Sequence, residues 1–96
     1  PLDVPDVLEK VCEHYGVDTN AVFSKARKRE IVQVRQVAMY LAKKHTEASF
    51  AKIGSLIGKR DHATVLHACK IVGAQIEVNK VFRSEIEELE NELRRK

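Results

Sequence analysis

The stretch that decides the fold is Ser49-Phe-Ala-Lys-Ile-Gly-Ser-Leu-Ile-Gly-Lys-Arg-Asp-His-Ala-Thr-Val-Leu-His-Ala-Cys-Lys-Ile-Val72. Ser49 suits an N-cap, and Phe50, Ile53, Leu56 and Ile57 follow at helical spacing. Gly58 stops that helix, and Lys59 and Arg60 form a tight turn. Asp61 then caps a second helix whose inward stripe is Val65, Ala68 or Cys69, Val72 and Ile76. Short helix, tight turn, second helix is helix-turn-helix syntax. In such modules the first helix braces against the backbone and the start of the second reaches base edges in the major groove. Here that start is Asp61, His62, Ala63 and Thr64. A carboxylate accepts from a base amino group, and a methyl packs against a thymine methyl. The plainer reading is a helical corner that only packs, which is common in all-α domains.

Outward from this segment the pattern stays helical. Val4, Val7, Leu8, Val11, Cys12 and Tyr15 form one stripe, with Asp3 as cap, Pro5 in the first turn and Gly16 at the end. Cys12 on that stripe reads as a small core residue. A short turn carries Ala21, Val22 and Phe23 behind Asp18 or Thr19. A helix over 30–45 has Ile31, Val34, Val37, Ala38 and Leu41 inward, with Arg35, Lys43 and Lys44 off the stripe. His14 and His45 fall at helix ends, where the dipole favours a cation. A last helix over 80–95 has the narrow seam Phe82, Ile86, Leu89 and Leu93, and basic Arg94-Arg95-Lys96 at its end. Its acids, Glu85, Glu87, Glu88, Glu90 and Glu92, read as a solvated face or the border of a partner-helix seam. The expected fold is an all-α domain over 1–96, with a basic loop at 24–29 and the helix-turn-helix at 49–72.

Charge is segregated along this framework. The chain has 96 residues and a net charge of +3. Residues 1–23 hold one base and five acids; residues 24–72 hold eleven bases and three acids; residues 73–96 hold five and six. The central segment thus carries +8 between acidic flanks. Positive charge gathered in one part of a small domain points to a polyanion. The run Ser24-Lys25-Ala26-Arg27-Lys28-Arg29 lies between two helices, and arginine fits a narrow minor groove. A loop in one groove beside a helix in another makes a two-point reader.

Other chemistries fall away. No apolar run reaches the length of a membrane span, and the start has no signal-peptide core. The two cysteines, Cys12 and Cys69, make no disulfide framework. The chain begins at Pro1 without Met, as an excised piece of a longer protein would. Gly54 to Arg60 imitates a phosphate-binding loop, but it is one residue short between glycines. Arg60 also stands where a magnesium-binding hydroxyl belongs, and no strand precedes it. His62 and His67 do not share a helical face well, and no cysteine or carboxylate completes a zinc set. No nucleophile accompanies them, so no catalytic or metal residue is expected.

Three segments together carry a resemblance. They are Ser24 to Arg29, Val34-Arg35-Gln36 through Lys43, and Ile53-Gly-Ser-Leu-Ile-Gly-Lys-Arg-Asp-His-Ala-Thr-Val-Leu-His-Ala68. They resemble the C-terminal DNA-binding domain, domain IV, of the DnaA family of bacterial replication initiators, over residues 11–89. The resemblance implies binding of double-stranded DNA at short asymmetric DnaA boxes of the replication origin, one protomer per site. It implies that Arg27 enters the minor groove and that Asp61, His62 and Thr64 read the major groove beside Ala63. Backbone contacts are expected from Lys25, Lys28, Arg29, Arg35, Gln36, Lys43, Ser49, Phe50, Arg60 and His67. The implied setting is the bacterial cytoplasm at the nucleoid, with regulatory proteins docking on the domain. The family's ATPase module, with its ATP and magnesium, lies outside this sequence, so no enzyme activity or cofactor is expected here. A generic helix-turn-helix transcription regulator is the alternative; such a protein usually brings a dimer seam and palindromic half-sites. Three positions depart from the family pattern: Ala63 and Ile57 replace the usual Thr and Phe, and Ala51 replaces a usual proline. Ala63 keeps a methyl for thymine contact but loses a hydroxyl, and Ala51 frees a backbone N–H for a phosphate.

Overall fold

Five of the six helices among the described residues begin where a polar side chain accepts from a backbone N–H of the first turn. The computed structural model describes residues 2–95, so Lys96 of the C-terminal basic run lies outside the described residues. Six helices follow one another: α1 Val4–Tyr15, α2 Thr19–Phe23, α3 Arg29–His45, α4 Phe50–Leu56, α5 His62–Val78 and α6 Lys80–Arg94. No strand occurs among the described residues, as the all-α expectation holds. Asp3 accepts from the Asp6 N–H at 3.1 Å, Asp18 from Asn20 at 2.8 Å and Ser49 from Lys52 at 3.1 Å. Asn79 ends α5 and also caps α6, accepting from the Phe82 N–H at 3.0 Å. One residue thus makes the whole joint between the two helices.

The apolar stripes meet in one continuous core. α3 lies centrally against α5 and α1, α4 packs on α5, and α6 closes the far side against α5 and α1. Val7, Val11, Val34, Val37, Met39, Leu41, Ile53, Ile57, Val65 and Leu89 are fully enclosed. Burying such side chains stabilises by about 1.5–3 kcal/mol each before entropy is counted. Cys12 is buried on its stripe, and burial followed by the nearby Asp18 charge pushes its thiol up to about 11. It is an inert core group at neutral pH.

Four expectations change. The short turn expected behind Asp18 or Thr19 is a helix, α2, capped by Asp18, and α3 begins at Arg29, one residue before the expected start. Arg35 lies off the apolar stripe yet is buried, because α2 and the loop after it fold over α3. The α6 seam is used inside this chain: Phe82, Ile86, Leu89 and Leu93 are all core. The acidic face of α6 is likewise not all solvated. Glu90 is buried and its Oε2 accepts from His45 Nε2 at 2.7 Å and Lys44 Nζ at 2.8 Å. Glu92 pairs with His14 at 3.1 Å, and the Tyr15 hydroxyl donates to Glu85. Glu87 and Glu88 remain exposed. Local periodicity sees one helix at a time and so missed the basic residues that α1 and α3 present to α6.

Candidate nucleic-acid interface

The turn between α4 and α5 is built by a close crossing of backbone. Arg60 donates its N–H to the Gly54 carbonyl at 2.7 Å. A Cβ at Gly54 would lie 2.2 Å from the Arg60 carbonyl oxygen, so no larger residue fits. Gly58 at φ 84 and Lys59 at φ 53 then take two left-handed steps in succession. These steps turn the chain from α4 into α5. In the sequence Gly54 figures only in a false phosphate loop, and Gly58 also as the stop of the helix before the turn. Their better signal was a glycine inside a short helix just before a tight turn.

The start of α5 is presented by its cap. Asp61 Oδ1 accepts from the Thr64 N–H at 2.9 Å and from the Thr64 hydroxyl at 2.8 Å. Those hydrogen bonds, the backbone one first, hold the Asp61 carboxyl below its ordinary range. It therefore stays an acceptor at neutral pH, and Oδ2 has no protein partner among the described residues. Asp61, His62, Ala63 and Thr64 are all exposed, while Val65 directly after them is fully buried. His67, one turn further, is exposed as well. The four expected readers thus share one end of one helix, anchored from below.

The basic loop leaves α2 under local control. The Ser24 hydroxyl donates to the Ala21 carbonyl at 2.7 Å and accepts from the Ala26 N–H at 3.1 Å. Lys25, Arg27, Lys28 and Arg29 are exposed beyond it. Arg27 and Arg29 join Val32, Gln33 and Gln36 of α3 around a concave surface. Gln75 of α5 lines it too, a residue that the sequence reading did not single out. Loop and helix-turn-helix are tied together, since Arg60 Nη2 donates to the Ser24 carbonyl at 3.4 Å.

A second cluster lies at the start of α4. Lys43 Nζ sits 4.6 Å from the centroid of the Phe50 ring and donates to the Ala48 carbonyl at 3.4 Å. Ser49 caps the helix beside them. Lys43, Ser49 and Phe50 are therefore neighbours, as their shared expected role requires. Arg35 differs from the other expected backbone contacts: it is 7% exposed, and its guanidinium is bonded to protein carbonyls. Lys44 is directed elsewhere, to Glu90. Among the described residues, no group of three or more His, Cys, Asp or Glu is gathered as metal ligands. No helix of the described residues is long and apolar enough to cross a membrane.

These features define a helix-turn-helix module with an exposed start to its second helix and a basic loop at its side. The family model for the bacterial dnaA protein helix-turn-helix matches residues 4–72. The chain is 53% identical over 95 residues to the chromosomal replication initiator protein DnaA of Bacteroides thetaiotaomicron, covering 99% of this chain and 20% of that protein. It is 54% identical over 95 residues to the protein of the same name from Bacteroides fragilis, with the same coverage. To that of Flavobacterium psychrophilum it is 46% identical over 89 residues, covering 92% of this chain and 19% of that protein. The chain belongs to the DnaA family and corresponds to its C-terminal helix-turn-helix domain. It spans about a fifth of the length of these relatives.

Proposed function

We propose that this chain binds a short, asymmetric DnaA box in double-stranded DNA and so brings a replication initiator to its origin. The start of α5 enters the major groove, where Asp61, His62, Ala63 and Thr64 face base edges. Arg27 on the basic loop enters the adjacent minor groove. Lys25, Lys28, Arg29, Gln36, Lys43, Ser49, Phe50, Arg60 and His67 hold the phosphates on either side. The observation that carries this reading is the exposed start of α5, capped by Asp61 and joined through Arg60 to the loop that bears Arg27. Its role is binding, with no catalytic step on these residues.

One protomer per site is favoured by the fate of the α6 seam. The seam residues that a dimeric regulator could have used are in the core of the chain itself.

The test is a titration of wild type and Arg27→Ala against a box duplex and a scrambled duplex. Removing a good base contact costs about 1–3 kcal/mol of discrimination. The loss for Arg27→Ala is therefore expected to be about tenfold or more on the box and far smaller on the scrambled duplex. Equal loss on both would end the minor-groove reading. Sedimentation of the complex is expected to give one protomer per box, and a dimer on a palindrome would support the regulator instead.

A further inference from the structure

Arg35 is enclosed although its charge would be better solvated outside. Its Nε donates to the Val22 carbonyl at 3.0 Å and its Nη2 to the Ser24 carbonyl at 3.1 Å. Both acceptors lie at the C-terminal end of α2, where helix carbonyls lack partners of their own. Arg60 reaches the same Ser24 carbonyl from the turn before α5. Gly58 makes room for this meeting: a Cβ there would lie 3.3 Å from both Arg60 Nε and the Val22 carbonyl. Among the described residues no carboxylate pairs with either guanidinium. Burial first, and the neighbouring Arg60 charge second, lower the Arg35 pKa from the ordinary arginine value. A buried cation held only by carbonyls, beside a second cation, is a costly arrangement for stability alone. What it fixes is the point where the basic loop departs.

We propose that Arg35 is a positioning residue for DNA reading. It holds the root of the basic loop, and with Arg60 it sets the distance from Arg27 to the start of α5. Reading in the two grooves is thereby coupled through the Ser24 carbonyl. Arg35 itself contacts no base; it makes Arg27 effective. The planar fork of arginine reaches two carbonyls at once, which a lysine ammonium on its flexible stem does not reproduce. The proposal rests on the DNA-binding reading above, but its first test needs no DNA.

In the free protein, backbone ¹⁵N relaxation is measured for residues 25–28 in wild type, Arg35→Lys and Arg60→Lys. Loop order parameters are expected to fall from about 0.8 to below about 0.6 in Arg35→Lys, with the first turn of α5 unchanged. Arg60→Lys, which keeps the Arg35 bonds, is expected to move them in the same direction by less. Unchanged loop order in folded Arg35→Lys overturns the proposal; if that variant does not fold, unchanged order in Arg60→Lys does so. In the second test Arg27→Ala is combined with each lysine variant on the box duplex. Its loss is expected to shrink from about tenfold to under about threefold in the Arg35→Lys background, because coupled residues are not additive. An equal loss in both backgrounds overturns the coupling and makes Arg35 an independent contact. If wild type fails to prefer the box, the DNA reading fails, while the relaxation result still decides whether Arg35 holds the loop.

Discussion

Arg35 and Glu90 are the two buried charged side chains among the described residues, at 7% and 6% exposure. Their surroundings are opposite. Glu90 receives two partners that can carry positive charge, Lys44 and His45, so the α6 side is a latch with its charge compensated. Arg35 receives two carbonyls and a second arginine, so the loop side keeps its positive charge uncompensated. The chain thus neutralises the charge it buries for cohesion and leaves unneutralised the charge beside its proposed DNA face. Glu90 of α6 pairs with Lys44, whereas the neighbouring Lys43 lies against Phe50 with no carboxylate partner among the described residues. The net +8 of residues 24–72 is in this way divided between a structural side and the side proposed to bind DNA.

The largest way to break this contrast is to disturb the crossing that holds the turn on the loop side. Gly54→Ala puts a Cβ 2.2 Å from backbone that cannot move without breaking the Arg60–Gly54 hydrogen bond. Destabilisation of about 3 kcal/mol is expected in urea unfolding, at the upper end for overpacking. A Gly54→Ala protein as stable as wild type would show that the crossing is not as tight as described.

On the compensated side, Glu90→Ala leaves Lys44 and His45 without their shared partner. Lys44 is half exposed, so the expected cost is about 1–2 kcal/mol, well below that of breaking a fully buried pair. Burial raises the Glu90 carboxyl pKa, but the hydrogen bonds from Lys44 and His45 outweigh it, and the net shift is downward from 4.5. A group with a lowered folded pKa contributes fully above its unfolded value and loses that contribution as pH falls through the folded one. The gap between wild type and Glu90→Ala is therefore expected in full at pH 7 and should narrow as pH falls through the lowered folded value. A gap that does not narrow at any acid pH where the protein stays folded would mean that packing, not charge, holds α6.

The smallest effect sharpens the division between the neighbours Lys43 and Lys44. Lys43→Ala is expected to weaken box and scrambled duplexes alike, by several-fold. It should also flatten the dependence of log K on log salt by about 0.9, the value for one phosphate contact. Lys44→Ala is expected to leave that slope unchanged. Equal slopes for the two variants would erase the proposed division.

Much of the fold could be read because its signals are local. Caps at Asp3, Asp18, Ser49 and Asp61 and stripes at helical spacing marked helix starts and buried faces in advance. The capped start of α5 was legible for the same reason, since cap and first turn are adjacent in sequence. What stayed hidden depends on residues far apart in the chain. Arg35 meets Val22 and Ser24 across α2, and His45 meets Glu90 across 45 positions. An arginine off a stripe and a row of glutamates look solvated until another helix is laid over them. Gly54 was hidden differently: its purpose is the space it leaves for Arg60, and its one trace in the sequence is a glycine inside a short helix just before a tight turn.

One copy of this chain is proposed to read a short asymmetric duplex site through two grooves. Selection from a pool of random duplexes, without any site chosen beforehand, tests it most directly. Enrichment of one short non-palindromic sequence of DnaA-box type is expected, bound on the order of a hundredfold or more above its scrambled form. Enrichment of a palindrome, or of no sequence at all, would contradict it.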